Sequence, residues 1–442
     1  MKLLNLANEA LWKIRQSEVA SRTIQNAGWL IGDKVVTMII GVFVTAIVAR
    51  YFGPVLFGQF HYALSFVALF TAISSLGLDT LSVKAIVDEE YDQGTILCTS
   101  LLMRISGGLL LIFLAAIIIR VLEPGDSYLH LLVFIMSLAM AFKSLEVIEY
   151  WIQAKQKAKI SSTIRIAAYF LYSGLKVALV LLGGNLIHYA LIHLVDVIII
   201  GLALIVAYFM YRDSLSRWKI DLNYAKKVLS ISWYLILSGL MGTIYMQIDK
   251  VMLGSMLSTT LEVGVYSAAV AVASMWYFIP MAVITSFKPI IMSKKNNDEA
   301  GYLESVQLLY TIVAWMGIVF GVIILLLSNI IIGVLYGPDY IKAASILSIS
   351  IWAGTFAILG SARGVWIVTE GLQRYTVVYA SLGVVVNVML NYWLIPLLGG
   401  YGAAIATLVS QVAVALIIPA LFKETRISSV MILRALKLKG VI

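Results

Sequence analysis

The sequence has few charged residues, one cysteine and four histidines. Only 12% of its 442 residues are Asp, Glu, Lys or Arg, whereas soluble domains carry about 25%. A single cysteine, Cys98, excludes an internal disulfide and a cysteine-based zinc site. The histidines are His61, His130, His188 and His193, which argues against a histidine-ligated metal. We therefore expect no metal site.

The sequence also lacks the motifs of the common enzyme classes. It contains no G-x-x-x-x-G-K-[ST] phosphate loop and no H-E-x-x-H zinc motif. ATP hydrolysis by a phosphate loop and metalloprotease chemistry are therefore excluded. We predict that the chain is not an enzyme and has no cofactor beyond a proton or sodium gradient. Its net charge of +9 is explained by the loop charges described below, so we expect no nucleic acid partner.

Long apolar segments dominate the sequence. Hydrophobic residues make up 61% of the chain, against about 45–50% in soluble domains. A membrane helix needs about 20 apolar residues, and twelve segments satisfy this. They cover residues 28–50, 57–78, 98–121, 128–151, 162–183, 186–211, 229–253, 264–289, 307–328, 342–367, 375–396 and 400–422. The ninth could extend into "NIIIGVLYG". We predict an all-α, polytopic integral membrane protein with about 12 transmembrane helices.

Lysine and arginine are distributed unevenly between the predicted loops. With the N-terminus in the cytoplasm, basic loops such as 154–160 and 212–228 lie inside, and the outer side carries little beyond Arg50, Arg120 and Lys342. The positive-inside rule then places both termini in the cytoplasm. The acidic run "DEEYD" at 88–92 also falls inside, but acidic residues weigh little in this rule. The outer loops are too short for an extracytoplasmic catalytic domain.

The two halves of the chain resemble each other weakly. "GWLI" at Gly28 recurs as "SWYL" at Ser232, and "FGQFHYALSF" from Phe57 recurs as "VGVYSAAVAV" from Val263. A parallel repeat of six spans predicts two lobes with a substrate path between them. We predict that the chain has five parts: an amphipathic cytoplasmic N-terminus (1–27), an N-terminal six-helix lobe (28–211), a basic cytoplasmic linker (212–228), a C-terminal six-helix lobe (229–422) and a basic cytoplasmic tail (423–442).

Several predicted spans contain ionisable residues at helical spacing. In the fifth span, Arg165, Tyr169, Tyr172 and Lys176 form one polar stripe. In the fourth, Lys143 and Glu146 are spaced for an i,i+3 pair. Six of the intramembrane cations are candidates for binding a ligand: Lys34, Arg104, Lys143, Arg165, Lys176 and Arg363. Charges at this depth are costly unless they meet water or a polar ligand, and the surplus of cations favours an anionic ligand such as phosphate.

Acidic residues accompany these cations. A carboxylate beside a lysine can exchange a proton or hold sodium, which makes Asp33, Glu146, Asp196 and Asp249 candidates for ion coupling. His193, three residues before Asp196, could titrate near neutrality. A structural interpretation stays open, because buried charges also pair with each other and charges near a helix end reach the lipid headgroups. Arg104, Glu149, Arg165 and Arg363 lie close enough to the inner surface to reach them.

Six stretches of the sequence resemble the Wzx-type O-antigen flippases, in the polysaccharide transporter family of the multidrug/oligosaccharidyl-lipid/polysaccharide exporter superfamily. The matching stretches are "VARYFGPVLFGQFHYALSF" with "SLGLD", "SLEVIEYWIQAKQK", "YMQIDKVMLGSM", "VGVYSAA", "WYFIPMAVITSFKPII" and "NVMLNYWLIPLLGGYGAAIATLVSQ". The resemblance covers most of the chain, in order. Each motif is modest by itself, and together they are fairly specific.

The resemblance implies a fold of two six-helix lobes around a central cavity that works by alternating access. It implies transport of an undecaprenyl-pyrophosphate-linked oligosaccharide across the bacterial inner membrane, with membrane lipids and other polysaccharide assembly proteins as partners. The six cations named above would hold the pyrophosphate. Candidate glycan contacts are Tyr62, Tyr245, Gln247, Asn387 and Asn391.

Two other functions remain open at this stage. A cation-coupled multidrug antiporter of the same superfamily would need net acidic cavity groups and an aromatic cage for cations. A membrane glycan polymerase or ligase is disfavoured by the short outer loops. Transport of organic cations would identify the first function, and covalent change in a glycan would identify the second.

Overall fold

The computed structural model describes residues 18–212, 217–295 and 298–437. Most of the predicted amphipathic N-terminus, residues 1–17, lies outside these ranges, as do residues 438–442 of the predicted tail. Throughout the described residues the regular structure is helical and contains no β-strand. The predicted all-α fold class is therefore confirmed.

Seventeen α-helices, some of them short, form the described chain. They are α1 (Glu18–Ala68), α2 (Thr71–Ser75), α3 (Leu78–Val87), α4 (Gln93–Leu122), α5 (Ser127–Phe142), α6 (Ile148–Ala154), α7 (Ala158–Leu181), α8 (Leu186–Tyr211), α9 (Leu222–Met256), α10 (Leu261–Ser274), α11 (Phe278–Lys294), α12 (Glu299–Tyr336), α13 (Lys342–Thr369), α14 (Arg374–Leu398), α15 (Gly400–Val412), α16 (Ile418–Leu421) and α17 (Arg426–Leu436).

Eleven helical segments of the described chain are long and apolar enough to cross a membrane. The first of them, within α1, contains a kink that separates the first two predicted spans. Gly53 has φ 69° and ψ 170° at this kink and is followed by Pro54. Glycine adopts this positive φ without the steric cost that other residues meet, and proline cannot donate the helical hydrogen bond. Counting α1 as two spans gives the predicted twelve.

Some predicted boundaries differ from the structure. The second predicted span, 57–78, already ends as a helix at Ala68, and α2 and α3 follow it. Leu76, between α2 and α3, adopts a left-handed conformation with φ 52°, which interrupts the helix. The ninth span continues through "NIIIGVLY" to Tyr336, where Gly337, at φ 85°, ends it.

Two spans of the described chain contain a 3₁₀ segment part of the way along. A 3₁₀ segment, Lys143–Val147, joins α5 to α6, and a second, Met275–Tyr277, joins α10 to α11. Such segments tighten the backbone and redirect the helix that follows. The first carries Lys143 and Glu146, so it determines where these two predicted site residues point.

The chain folds into two compact units, each held together by its own internal contacts. Among the described residues, the first comprises 18–44, 70–118, 134–212 and 217–237, and the second comprises 45–69, 119–133, 238–295 and 298–437. The core of the first unit contains Trp151, Tyr208 and Tyr224. The core of the second contains Trp276, Tyr310 and Trp366. The predicted lobes, 28–211 and 229–422, stay a prediction.

Two glycines allow a close backbone contact inside the second unit. A Cβ atom at Gly58 in α1 would overlap the Thr260 carbonyl, and one at Gly264 in α10 would overlap the Pro54 carbonyl. Thr260 Oγ1 donates to Val55 O at 2.8 Å in the same contact. This is the close approach that small residues permit between membrane helices.

Replacing Gly264 with valine should destabilise the protein strongly. The new side chain would meet a main-chain carbonyl that cannot rotate away, and overpacking of this kind costs up to about 3 kcal/mol. Thermal unfolding of the purified protein in detergent measures the effect. Gly174→Val is the matched control, because a Cβ atom at helical Gly174 meets no other atom within 4 Å. Equal melting temperatures for the two variants would contradict the close contact.

Candidate functional site

Arg165 is the centre of a charged cluster in the first unit. Its Nη2 atom lies 2.8 Å from Glu146 Oε2 and 2.8 Å from Glu149 Oε1. Its Nε atom donates to Glu149 Oε1 at 3.1 Å, and Ser161 also donates to that oxygen. The side chains of Glu146 and Glu149 are only 12% and 14% exposed. One guanidinium therefore neutralises two largely buried carboxylates.

The partner of Glu146 differs from the one that its spacing predicts. Among the described residues Glu146 pairs with Arg165 rather than with Lys143, and Lys143 is exposed. Arg165 can pair with Glu146 and Glu149 at once because its planar guanidinium group has several hydrogen-bond donors. Sequence spacing within one helix cannot detect this pairing, which joins α7 to the segment between α5 and α6.

Replacing Arg165 alone should destabilise the protein more than replacing Arg165, Glu146 and Glu149 together. Arg165→Met leaves Glu146 and Glu149 without their cation, and breaking a buried pair costs about 3–5 kcal/mol; the partial exposure of Arg165 lowers this to roughly 2–3 kcal/mol. Adding Glu146→Gln and Glu149→Gln should restore most of the loss. A double-mutant cycle of thermal unfolding measures the coupling, and additive losses would contradict a shared charge cluster.

Lys176 is held by aromatic rings rather than by an acid. Its side chain is 7% exposed, and its ammonium lies 4.0 Å from the ring centroid of Tyr172 and 5.0 Å from that of Tyr189. No described carboxylate forms an ion pair with Lys176 within 4.0 Å. Cation–π contacts stabilise such an ammonium only in part, so the lysine retains donor capacity for an anion.

Two other predicted residues of this region lie near the tyrosines. His193 Nδ1 is 3.5 Å from the hydroxyl of Tyr172. Asp196 is half-buried and lines a small pocket together with Tyr172. The predicted ion coupling by Asp196 stays a prediction.

The adjacent residues Asp33 and Lys34 have opposite environments. Asp33 is 7% exposed and lies within the electrostatic field of Arg165, whereas Lys34 is exposed. The Thr37 hydroxyl donates to the Asp33 carbonyl at 2.7 Å, one turn further along α1. The acid is therefore buried with the charged cluster while the lysine stays accessible.

Arg104 has a structural environment. Its Nη1 atom donates to the hydroxyl of Tyr150 at 3.0 Å and lies 4.0 Å from Asp79 Oδ1. The side chain is buried, whereas that of Asp79 is 64% exposed. Arg104 therefore ties α4 to α6, which fits the structural alternative that the sequence left open for it.

A second polar cluster surrounds Asp249 inside the second unit. Tyr266 and Thr407 each donate to Asp249 Oδ2 at 2.6 Å, and Asn391 Nδ2 donates to Asp249 Oδ1 at 2.7 Å. Asn391 Nδ2 also donates to Asn387 Oδ1 at 3.1 Å. Asp249 is 5% exposed and both asparagines are at most 1% exposed. Three donors therefore stabilise a fully enclosed carboxylate.

The predicted glycan contacts separate into different environments. Asn387 and Asn391 belong to the Asp249 cluster, and buried Tyr62 donates to Glu123 Oε1 at 3.4 Å. Tyr245 shares a hydrogen bond of 2.9 Å with Ser410, and Gln247 accepts from Lys250 at 3.1 Å. Tyr266 and Thr407 are not among the site residues that the sequence predicts. Both lie inside the quoted family motifs, but no spacing links them to Asp249.

Arg363 stabilises an irregular turn in the last predicted span. The segment Ala413–Ile417 is a π-helix, a form with i→i+5 hydrogen bonds that often occurs at functional sites. Arg363 is 2% exposed, and its two terminal nitrogens donate to Ala415 O at 2.7 Å and Val414 O at 2.8 Å. Both ends of its fork are therefore occupied by main-chain carbonyls. A cavity of about 400 Å³ adjoins Arg363.

The sequence profile of one protein family matches most of the first two thirds of the chain. The family described as "Polysaccharide biosynthesis protein" matches residues 23–294, more than half of the chain. A "Probable low-salt glycan biosynthesis flippase Agl15" of Haloferax volcanii is 27% identical over 221 residues, which are 48% of this chain and 44% of the relative. A "Probable flippase AglR" of the same organism is 28% identical over 180 residues, 38% of this chain and 36% of the relative. The chain thus matches less than half the length of each relative.

Solved membrane transporters share the fold. The lipid II flippase MurJ, in an inward closed conformation, superposes with a TM-score of 0.70 at 16% identity, over 94% of this chain and 92% of MurJ. An inward-facing multidrug resistance MATE family transporter of the MOP superfamily gives 0.61 at 15% identity, over 90% of this chain and 94% of the transporter. At these identities the similarities show that the chain shares the fold of these transporters.

Proposed function

Because this chain belongs to the polysaccharide biosynthesis protein family, we propose that it is a flippase for a lipid-linked oligosaccharide. The proposed substrate is an undecaprenyl-pyrophosphate-linked repeat unit of the O-antigen kind. The proposed location is the bacterial inner membrane with both termini in the cytoplasm, and the proposed mechanism is ion-coupled alternating access. Membrane lipids and other polysaccharide assembly proteins are the proposed partners.

The environment of Lys176 is the observation that carries this proposal. A buried ammonium in a membrane helix is costly, and Lys176 has two tyrosine rings but no described carboxylate within ion-pair distance. Asp196 acts on Lys176 electrostatically but forms no ion pair with it, and a pyrophosphate would supply negative charge at ion-pair distance. Lysine suits this role because its three donors can meet phosphate oxygens from several directions.

Lys34 and Lys143 are the proposed additional phosphate contacts. Both side chains are exposed in the first unit, so their ammonium groups are accessible. Arg104, Arg165 and Arg363 are less suitable, because each already donates to protein groups. We therefore assign these three arginines to positioning, and the three lysines to the anion.

The Asp249 cluster supports ion coupling. It brings a carboxylate, two asparagine amides and a threonine hydroxyl together, and oxygen atoms of these kinds are ligands for hard cations. Rotating the Asn391 amide about its last bond would point its carbonyl oxygen at the carboxylate, where a sodium ion or proton could sit. In the described structure that oxygen, Asn391 Oδ1, is buried without a partner.

Transbilayer movement of undecaprenyl-pyrophosphate oligosaccharide in proteoliposomes tests the proposal. The purified protein alone should move the lipid without altering its glycan, and a proton or sodium gradient should change the rate. Protein-free liposomes are the control. Absence of movement with folded protein and several glycans would contradict the flippase assignment, and a changed glycan would indicate an enzyme.

A cation-coupled multidrug antiporter is the second candidate. The observation that favours it is the enclosed carboxylate of Asp249 on a fold shared with a multidrug resistance transporter. Gradient-driven efflux of ethidium from the same proteoliposomes, without movement of lipid-linked glycan, would establish this function instead.

A further inference from the structure

The cavity beside Arg363 lies entirely within the second unit, and α9, α13, α14 and the end of α15 with the π-helix surround it. Its volume of about 400 Å³ is within the range of small-ligand sites, about 300–1,000 Å³. Nothing in the proposed phosphate contacts or the Asp249 cluster uses it. We call it the C-terminal cavity.

Glycine residues keep this cavity open. Gly242 and Gly364 both line it, and a Cβ atom at either position would meet no other atom within 4 Å. The helix backbones themselves therefore form part of the wall. A side chain at either position would take volume from the cavity without displacing protein atoms, which makes the two glycines direct probes of occupancy.

The polar groups that line the cavity are neutral. They comprise the phenols of Tyr245 and Tyr379, the hydroxyls of Ser361 and Thr376, and the amide of Gln411. Three of these groups also bond to the protein: Tyr379 donates to Thr425 Oγ1, Ser361 donates to Ala357 O, and Tyr245 shares a hydrogen bond with Ser410. Within the described residues the Gln411 amide makes no hydrogen bond, so its donor and its acceptor are both available to a ligand.

Arg363, the only charged residue in the described lining, already binds the protein through its terminal nitrogens. Arg363 donates both terminal nitrogens to main-chain carbonyls of the π-helix, and the described lining includes no lysine and no carboxylate. The Nε atom of Arg363 has no hydrogen-bond partner among the described residues but is buried, and an anion that used the terminal nitrogens would leave two buried carbonyls unsatisfied, which is costly. The lining therefore favours an uncharged ligand.

We propose that the C-terminal cavity binds a sugar ring of the transported glycan. A sugar presents hydroxyls that can both donate and accept, together with C–H faces that pack on aromatic rings. The Tyr245 ring next to the Gln411 amide and the Thr376 hydroxyl matches both features, because a tyrosine combines an apolar body with a polar tip. Tyr379 contributes less, since its ring packs against Arg363 and Tyr375. This inference rests on the proposed function and assigns part of the glycan to the second unit.

Protection of an engineered cysteine tests this directly. The chain has one cysteine, Cys98, so Cys98→Ser provides a cysteine-free background. Gly364→Cys places a thiol in the cavity, and Gly174→Cys, also at an open helical glycine, is the matched control. The rate of N-ethylmaleimide labelling is measured with three probes: the lipid-linked glycan that the wild type transports, undecaprenyl pyrophosphate without sugar, and free maltotriose or chitotriose.

We expect the transported lipid-linked glycan to slow labelling of Gly364→Cys about fivefold or more, with no effect from undecaprenyl pyrophosphate and no change at Gly174→Cys. Equal protection by the sugar-free lipid would overturn the inference in favour of a lipid site. No protection by the transported glycan would also overturn it. If the wild type transports no glycan, the proposed function fails; protection by a free trisaccharide would then still support the cavity as a sugar site, and its absence would overturn that as well.

A filled cavity gives an independent test. Gly364→Phe should lower transport of the lipid-linked oligosaccharide about tenfold or more, because the ring occupies the space of the sugar, while Gly174→Phe should transport like the wild type. Gel filtration and thermal unfolding confirm that both variants are folded. Wild-type transport by folded Gly364→Phe would overturn the inference.

Discussion

Lys176→Met should lower transport of lipid-linked oligosaccharide about tenfold or more while leaving the melting temperature unchanged or slightly raised. The side chain is 7% exposed and contacts the rings of Tyr172 and Tyr189. Methionine keeps its length and its contact with both rings but removes the charge. Burying a charge without an ion partner is unfavourable, so its removal relieves a desolvation cost.

The combination of the two readouts identifies the role of this lysine. Replacing a purely structural residue lowers the stability of the protein, whereas replacing a substrate contact lowers transport alone. Transport is measured in proteoliposomes and stability by thermal unfolding of the same preparation. Lys84→Met is the control for loss of one positive charge, because Lys84 is an exposed residue of the same unit. Wild-type transport by Lys176→Met would contradict the proposed cationic site.

The same lysine shows what periodicity can predict. Steps of four, three and four residues place Arg165, Tyr169, Tyr172 and Lys176 on one helix face, and the structure indeed brings Tyr172 against Lys176. The spacing does not reveal what the neighbouring helices contribute. Tyr189 comes from α8 to the second side of Lys176, and both acids of Arg165 lie outside α7.

The helices themselves were predictable because membrane helices need long apolar segments, and all but the broken second span can be read from hydropathy. The interruptions depend on packing instead. The left-handed Leu76, the 3₁₀ segment Lys143–Val147 and the π-helix Ala413–Ile417 have no strong local signal. Of these interruptions, only the kink at Gly53 in α1 has a local sequence signal. It lies in "FGP" at residues 52–54, and a Gly-Pro pair is a recognised turn signal.

The amides of α14 illustrate the same difference at the site. Asn387 and Asn391 are four residues apart and therefore share a helix face. Nothing in their spacing indicates that this face meets Asp249 of α9 and Thr407 of α15. Two amides that lie beside a buried carboxylate have a different chemistry from two amides that are exposed to a glycan. The partner across the helix interface, which the sequence does not encode locally, determines the chemistry.

Asp249→Asn should abolish the dependence of transport on the cation gradient. The carboxylate is 5% exposed and accepts from Tyr266, Thr407 and Asn391. Asparagine preserves its shape but removes the negative charge that would bind sodium or a proton. The variant should therefore transport at a low rate that is the same with and without a gradient.

Thermal unfolding separates sodium from protons. A ligand that binds only the folded state stabilises it by about 2.7 kcal/mol at one hundred times its Kd, so sodium should raise the melting temperature of the wild type relative to N-methylglucamine at equal ionic strength. Asp249→Asn should lose this response, whereas Asp79→Asn, at a carboxylate that is 64% exposed, should keep it. A wild type that responds to pH but not to sodium would indicate a proton. Gradient-dependent transport by Asp249→Asn would exclude Asp249 from the coupling mechanism. In this variant the cluster with Tyr266, Thr407 and the two asparagines carries no negative charge that could bind a cation.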